Sequence, residues 1–280
     1  MSKILLRIFF LILFLPLLAI PYSLQPNSVL TAQRTSLTFE IDGLLTDECW
    51  RQANWLSANH IISGSGKGGE LSFAILYDDN NLYIGARIRE EKPQVNHRKD
   101  EDVVWEDSCL EIFLDNPSPN KSIYNYRHYI VNADGYKLDE IGSKGAGSWN
   151  GNWEARTSRT ADGWNAEIRI PASDLNVPSF QNTILPFNIC ASLYHPSHIL
   201  ISFSDLKGGY FHQPERFANL VLSEAPQLSG EVQLSLHRGD KPILSLKVNI
   251  NKQEDLENIP SFSSLNPGTY ALDVFKENRF

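Results

Sequence analysis

The sequence predicts an all-β chain organised as an antiparallel β-sandwich, followed by a short β-rich C-terminal extension. Short runs of alternating apolar and polar residues recur along it, Gly, Asn, Asp and Pro turns separate them, and no long stretch repeats apolar residues at helical spacing. Alternation with period two gives each strand one apolar face, and short strands joined by turns bury that face best against a second sheet.

The 280 residues, 42% hydrophobic and 21% charged, are ample for one large β domain with a tail. A net charge of −8 argues against nucleic acid or an anionic lipid surface as partner, since both are held by clustered Lys and Arg. A neutral ligand or a cation suits this balance better.

Residues 1–23 read as a signal peptide or N-terminal anchor. Lys3 and Arg7 precede an apolar run over 8–20, shorter than the roughly 20 apolar residues of a spanning helix. The expected localisation is therefore export, to the periplasm, the cell surface or the medium, with no membrane association beyond this segment. Cys49, Cys109 and Cys190 are odd in number, which leaves at least one thiol unpaired, and all three read as small buried hydrophobes. No Cys-x-x-Cys or Cys/His spacing of zinc type occurs.

The sandwich is expected over 35–224, after a polar connector. Residues 36–41 alternate into an Asp42-Gly43 turn, and 46–50 read as one helical turn capped by Thr46, with Trp50 and Trp55 plugging a core end. A Gly- and Ser-rich loop spans 60–69. Runs 71–77 and 82–88 form a hairpin around the turn at 78–81, and the charged segment 90–102, carrying Pro93, is an exposed loop. In the next strand Leu110, Ile112 and Leu114 face one side, while Cys109, Glu111, Phe113 and Asp115 face the other, with Trp105 at its mouth. Residues 124–132 form a strand with His128, Ile130 and Asn132 on one side. A glycine-rich loop over 142–151 follows, then paired strands at 153–158 and 164–170, a helical turn at 172–175, and strands at 186–194, 199–203 and 217–222. The extension, 225–280, has strand patterns at 231–236, 243–250 and 268–275.

No Gly-x-Ser-x-Gly, His-Glu-x-x-His or phosphate-binding glycine loop is present, so the chain does not read as an enzyme. Glu111 with Asp107 or Asp115 is the one carboxylate pairing of glycosidase type, and acids around strand ends are ordinarily just solvated. A sugar, by contrast, offers apolar C–H faces and a rim of hydroxyls, and calls for flat aromatic platforms beside fixed polar groups. Trp105, Glu111, Asn132 and Phe211 are those residue types. Each also has a plain structural reading: Trp105 sealing the sandwich end, Asn132 satisfying a turn, Glu111 pairing with a base and Phe211 filling the core.

Four motif pairs in order extend this. Ile41-Asp-Gly43 with Trp50, Leu76-Tyr-Asp78 with Leu82-Tyr-Ile84, Trp105-Glu-Asp107 with Glu111-Ile-Phe-Leu-Asp115, and Ile201-Ser-Phe-Ser-Asp205 with Pro214-Glu-Arg-Phe217 resemble the family 9 carbohydrate-binding modules, from about residue 38 to 223. The resemblance implies a β-sandwich of the DOMON-like superfamily that holds the terminal sugar of an oligo- or polysaccharide between two aromatic rings, with structural calcium. It implies sugar-binding roles for Trp105, Glu111 and Asn132, and for Phe211 or Tyr210 as the second platform. The chain departs from the family where Ile130 stands for a sugar-binding Arg, Cys190 for a Gln, and Phe211 for a Trp. An Ile replaces none of the oriented donors of an Arg. The same alignment brings Cys109 and Cys190 onto one face, close enough to consider a disulfide.

The expected function is thus non-catalytic carbohydrate binding, accessory to polysaccharide breakdown. Two alternatives remain open at this level. One is a haem or electron-transfer module with His128 as axial ligand, although Met1 is the only methionine. The other is a sandwich turned to protein interaction at the cell surface.

Overall fold

A computed structural model of the chain describes residues 28–65, 69–115 and 125–222, together with the backbone of strands at 6–11, 230–238, 241–250 and 269–276. The chain divides into two units, 25–224 and a smaller one made of 1–24 with 225–280. With strands numbered in chain order, the smaller unit holds one antiparallel sheet in the order β1 (Leu6–Leu11), β18 (Thr269–Lys276), β16 (Gly230–Arg238) and β17 (Lys241–Ile250). Its last three strands fall on the alternating runs of the extension. Leu6–Leu11, within the segment read as targeting, pairs with Thr269–Lys276.

The larger unit is a sandwich of two mixed sheets. One follows the order β10 (Lys137–Ile141), β9 (Arg127–Asn132), β8 (Cys109–Leu114), β13 (Thr183–Leu193), β14 (Ile199–Ser202) and β5 (His60–Ser63). On this sheet β15 (Ala218–Leu222) pairs with the first half of β13, and β2 (Val29–Thr31) pairs with β15. The second sheet follows β11 (Glu154–Arg159), β12 (Gly163–Pro171), β7 (Asn81–Arg89), β6 (Glu70–Tyr77) and β3 (Gln33–Arg34), with β4 (Leu56–Ala58) also on β6.

The inner faces are those that alternation selects. Leu110, Ile112 and Leu114 of β8, Tyr129 and Val131 of β9, and Phe187, Ile189 and Ala191 of β13 share one buried cluster with Phe73, Ile75, Ile84, Trp164 and Ile168 of the second sheet. Each fully buried side chain of this size contributes about 1.5–3 kcal/mol relative to exposure. On the outside of the second sheet, Trp50 packs with Leu45, Cys49, Ala74 and Leu76 and contacts Phe39 and Trp55. Gly85 makes room for it, because a Cβ there would lie 2.9 Å from Trp50 Cζ3 and 2.8 Å from Leu45 Cδ2.

Four local expectations change. The stretch expected to be a connector contributes β2 and β3, which lie parallel to β15 and β6 and so tie one edge of both sheets together, with Leu30 and Ala32 buried. Residues 36–41 form no strand. The Glu167 carboxylate instead accepts the N–H groups of Asp42 (2.8 Å), Gly43 (2.9 Å) and Leu45 (3.0 Å), fixing this segment without a ladder. Within the segment expected to be loop, His60–Ser63 joins β14 as an edge strand. The short helix is Glu48–Gln52, its N-cap is Asp47 rather than Thr46, and no side chain caps it.

Candidate functional site

The site lies on the outer face of the first sheet, over β8, β9, β10 and β13. Strand register stacks the outward side chains in rows: Leu138, Ile130, Glu111, Cys190 and Ser202 in one, and Glu140, His128, Phe113 and Asn188 in the next. Period two thus puts acids and an imidazole side by side, while on the inner face β8 and β13 present Leu110, Ile112, Leu114, Phe187, Ile189 and Ala191.

The floor is a buried polar network. His128 Nε2 lies 2.9 Å from Glu111 Oε2, and its Nδ1 lies 2.8 Å from Glu140 Oε1. All three residues are nearly inaccessible, His128 being 2% exposed, and its ring stacks on Phe113 at 4.1 Å between centroids. Burial by itself would push the imidazole down, but the two carboxylate hydrogen bonds outweigh it and hold His128 above the ordinary histidine range. Glu140 is affected in the opposite sense: burial would raise it, and the bond to His128 holds it below the usual range. Its other oxygen accepts the Gly145 N–H.

Beside this network His212 Nδ1 lies 2.5 Å from the Tyr126 hydroxyl, and its ring meets His128 edge-on at 5.1 Å. Burial and the neighbouring His128 push His212 down, which favours its neutral form. His212 arrives on the loop that follows β14. Gln213 pins that loop, its Nε2 donating to the carbonyls of Lys207 and Tyr210 and its Oε1 accepting the Lys207 N–H. Phe211 and Phe217 from the same loop pack on Phe113 and Tyr126.

Above the floor lies a cavity of about 540 Å³, lined by Trp105, Glu111, Ile130, Tyr210 and Phe211 together with His128, Glu140 and His212. Among the described residues, the lining contains three carboxylates, Glu106, Glu111 and Glu140, and no Lys or Arg. Trp105, on the single 3-10 turn Val104–Glu106, is 38% exposed, and Tyr210 is 54% exposed. Phe211 is 6% exposed and serves mainly as packing. A second cavity of about 380 Å³ has charged walls, among them Glu70, Arg89, Glu90 and Asp162, and no aromatic platform.

Four of the five residues singled out for sugar contact, Trp105, Glu111, Tyr210 and Phe211, therefore line one cavity. Asn132 does not. Its Nδ2 donates to the His97 carbonyl (2.8 Å) and to Asp107 Oδ2 (2.9 Å), and its Oδ1 accepts the N–H groups of Asp134 (3.2 Å) and Tyr136 (3.0 Å). That uses the full capacity of a primary amide and leaves none for a ligand. Its effect is indirect, because Asp107 in turn accepts the Asn96 and His97 N–H groups and so steadies the turn that carries Trp105. Cys49, Cys109 and Cys190 are free and buried, as their reading as small hydrophobes expects, and the Cys109–Cys190 bridge that the alignment raised is not formed. Cys109 donates instead to Glu111 Oε1 at 3.7 Å. His128, weighed as a haem ligand, has both ring nitrogens engaged by carboxylates.

Sequence reasoning missed Glu140, His212, Tyr126 and Gln213. Glu140 sits in a short strand that follows a turn, and the other three gain their roles from a loop folding back over the sheet, which no local spacing signals. Among the described residues, the one group of three His, Cys, Asp or Glu side chains able to share an ion is His128, Glu140 and His212. With two imidazoles that set does not fit a cation that selects oxygen ligands.

Residues 41–225 match the family described as "Carbohydrate family 9 binding domain-like". Among solved structures, the chain is similar to a family 9 carbohydrate-binding module from Caldicellulosiruptor kristjanssonii in complex with cellotriose, at 21% identity and a TM-score of 0.55, over 71% of this chain and 96% of that one. It is similar also to such a module from the same organism in complex with glucose, at 20% identity and a TM-score of 0.55, over 72% and 98% of the two chains. Among curated proteins none matches. These structural likenesses speak for the fold, and the match over most of the sandwich places the chain in the carbohydrate family 9 binding domain-like family.

Proposed function

We propose that the protein is a non-catalytic carbohydrate-binding protein whose ligand, the end of an oligo- or polysaccharide, enters the cavity over β8 and β9. The observation that carries this is the pairing of two solvent-reaching rings, Trp105 and Tyr210, with a sunken floor of Glu111, His128 and Glu140. Rings of this kind cover the C–H faces of a sugar, and carboxylates accept its hydroxyls. Support comes also from the family and from structural neighbours that hold cellotriose and glucose. Tyr210, rather than the packed Phe211, supplies the second platform in this reading. The floor offers acceptors in place of a guanidinium, so the ligand should donate hydrogen bonds and carry no negative charge.

Export through the N-terminal segment, and a role beside enzymes that degrade polysaccharides, belong to the same proposal. Calorimetry with cello- and xylo-oligosaccharides tests it. Saturable binding that weakens in Trp105→Ala and in Tyr210→Ala is the expected result, and absence of binding to every neutral glycan on an array would overturn it.

A further inference from the structure

His128, Glu140 and His212 come from β9, β10 and the loop after β14, and one ligand-capable atom of each lies within 4.8 Å of the other two. Each is held from behind. Glu111 engages His128 Nε2, leaving Nδ1 toward Glu140. Tyr126 engages His212 Nδ1, leaving Nε2 with no protein partner among the described residues. Gly145 donates to the second oxygen of Glu140. An imidazole anchored through its far nitrogen by a carboxylate or hydroxyl is how proteins orient metal-binding histidines, because the second bond fixes both tautomer and ring angle.

The surroundings favour a cation as well. Among the described residues, three carboxylates and no Lys or Arg line the cavity, so the field of these residues attracts positive charge. Two imidazoles with one carboxylate form a borderline donor set, suited to zinc and its first-row neighbours and poorly suited to calcium or magnesium. Ligand atoms each about 2.1 Å from an ion in tetrahedral geometry stand about 3.4 Å apart, so a pair as wide as 4.8 Å needs to close by about 1.4 Å.

We propose that His128, Glu140 and His212 bind a divalent transition-metal cation of the zinc type at the floor of the cavity, with Glu111 and Tyr126 as positioning residues. The ion takes the place of the proton between His128 Nδ1 and Glu140. Three protein ligands leave a coordination position on the cavity side for water or for an oxygen of whatever enters. The site stands on its own geometry and does not depend on the sugar reading.

The purified protein, stripped with a chelator, is titrated with Zn2+ and separately with Ca2+ by calorimetry, and with Co2+ by visible absorption. One Zn2+ per chain, no binding of Ca2+, and a Co2+ spectrum without thiolate charge transfer are expected. His212→Ala should weaken Zn2+ at least ~100-fold and Tyr126→Phe ~10-fold, while His60→Ala, at an exposed edge position, leaves the affinity unchanged. Should His212→Ala fail to fold, Tyr126→Phe decides the matter, since it keeps the ring. No saturable Zn2+ binding by the folded protein, undiminished affinity in Tyr126→Phe, or thiolate bands with Co2+ would each overturn the site and leave a closed Glu111–His128–Glu140 ion pair. None of these outcomes bears on glycan binding, which is measured separately.

Discussion

Cys190 stands directly across the β8–β13 ladder from Glu111, and Cys109 stands across the same ladder from Ser192, so the two sulfurs are offset by one pair along the outer face. Burial pushes both thiols well above the ordinary cysteine range, and Glu111 pushes them further the same way. A thiol kept protonated is a poor nucleophile. Native protein should therefore react negligibly with a thiol reagent, and protein denatured without reductant should titrate three thiols. Fewer than three would mean that a bridge forms after all.

Trp105 and Tyr210 reach solvent at the cavity rim, whereas Phe211 is packed and Asn132 is saturated. Removing a stacking ring should weaken glycan binding about 3- to 10-fold per ring. Asn132→Ala should instead lower stability by about 2 kcal/mol, because it strands the Asp134 and Tyr136 N–H groups and takes a donor from Asp107 and from the His97 carbonyl. Thermal unfolding beside calorimetry separates the two effects. An Asn132→Ala protein that is fully stable yet unable to bind would place the amide at the ligand.

Glu167 joins the first segment of the sandwich to β12 by accepting three backbone N–H groups from the far side of the chain, and it is wholly buried. Glu167→Ala leaves those donors without partners, at a cost of about 2–4 kcal/mol. For a domain of this size that corresponds to roughly 5–15 °C in unfolding temperature. A fall of a degree or less would show that water replaces the carboxylate readily.

Asp78 turns the hairpin between β6 and β7. Burial would raise its carboxyl, but the Tyr83 hydroxyl (2.8 Å) and the N–H groups of Asn80 and Asn81 (2.7 Å each) outweigh that and hold it below the usual range. A carboxyl lowered by folding stabilises the protein above its unfolded pKa of about 3.9, and that contribution is lost as pH falls through the folded value. Urea unfolding at pH 7 should find Asp78→Asn less stable by about 1–2 kcal/mol. The gap should narrow toward pH 3, and one that stays constant would remove charge from the explanation.

Much of the sandwich was legible because period-two alternation decides which side chains face inward. Leu110, Ile112 and Leu114 face the core between the sheets and Cys109, Glu111 and Phe113 the outer side, as their spacing required. The edge strands were harder to see. Gln33–Arg34 and His60–Ser63 are too short or too polar to show alternation, and they owe their state to the ladders they join. The Trp105 and Glu111 half of the cavity could be read from one continuous stretch. The Tyr126, Glu140 and His212 half could not, since it depends on a loop returning across the sheet and on Gln213 holding it there.

The two rim aromatics sit on connections, Trp105 on a single 3-10 turn and Tyr210 on the Gln213-pinned loop, whereas Glu111, His128 and Glu140 are built into the ladder. Floor and rim are thus mechanically separate parts. Exchanging the rings should retune which glycan is preferred while leaving the folding free energy almost untouched, whereas any change at the floor is felt by the whole sheet. In engineering terms, the protein has a replaceable mouth on a fixed base.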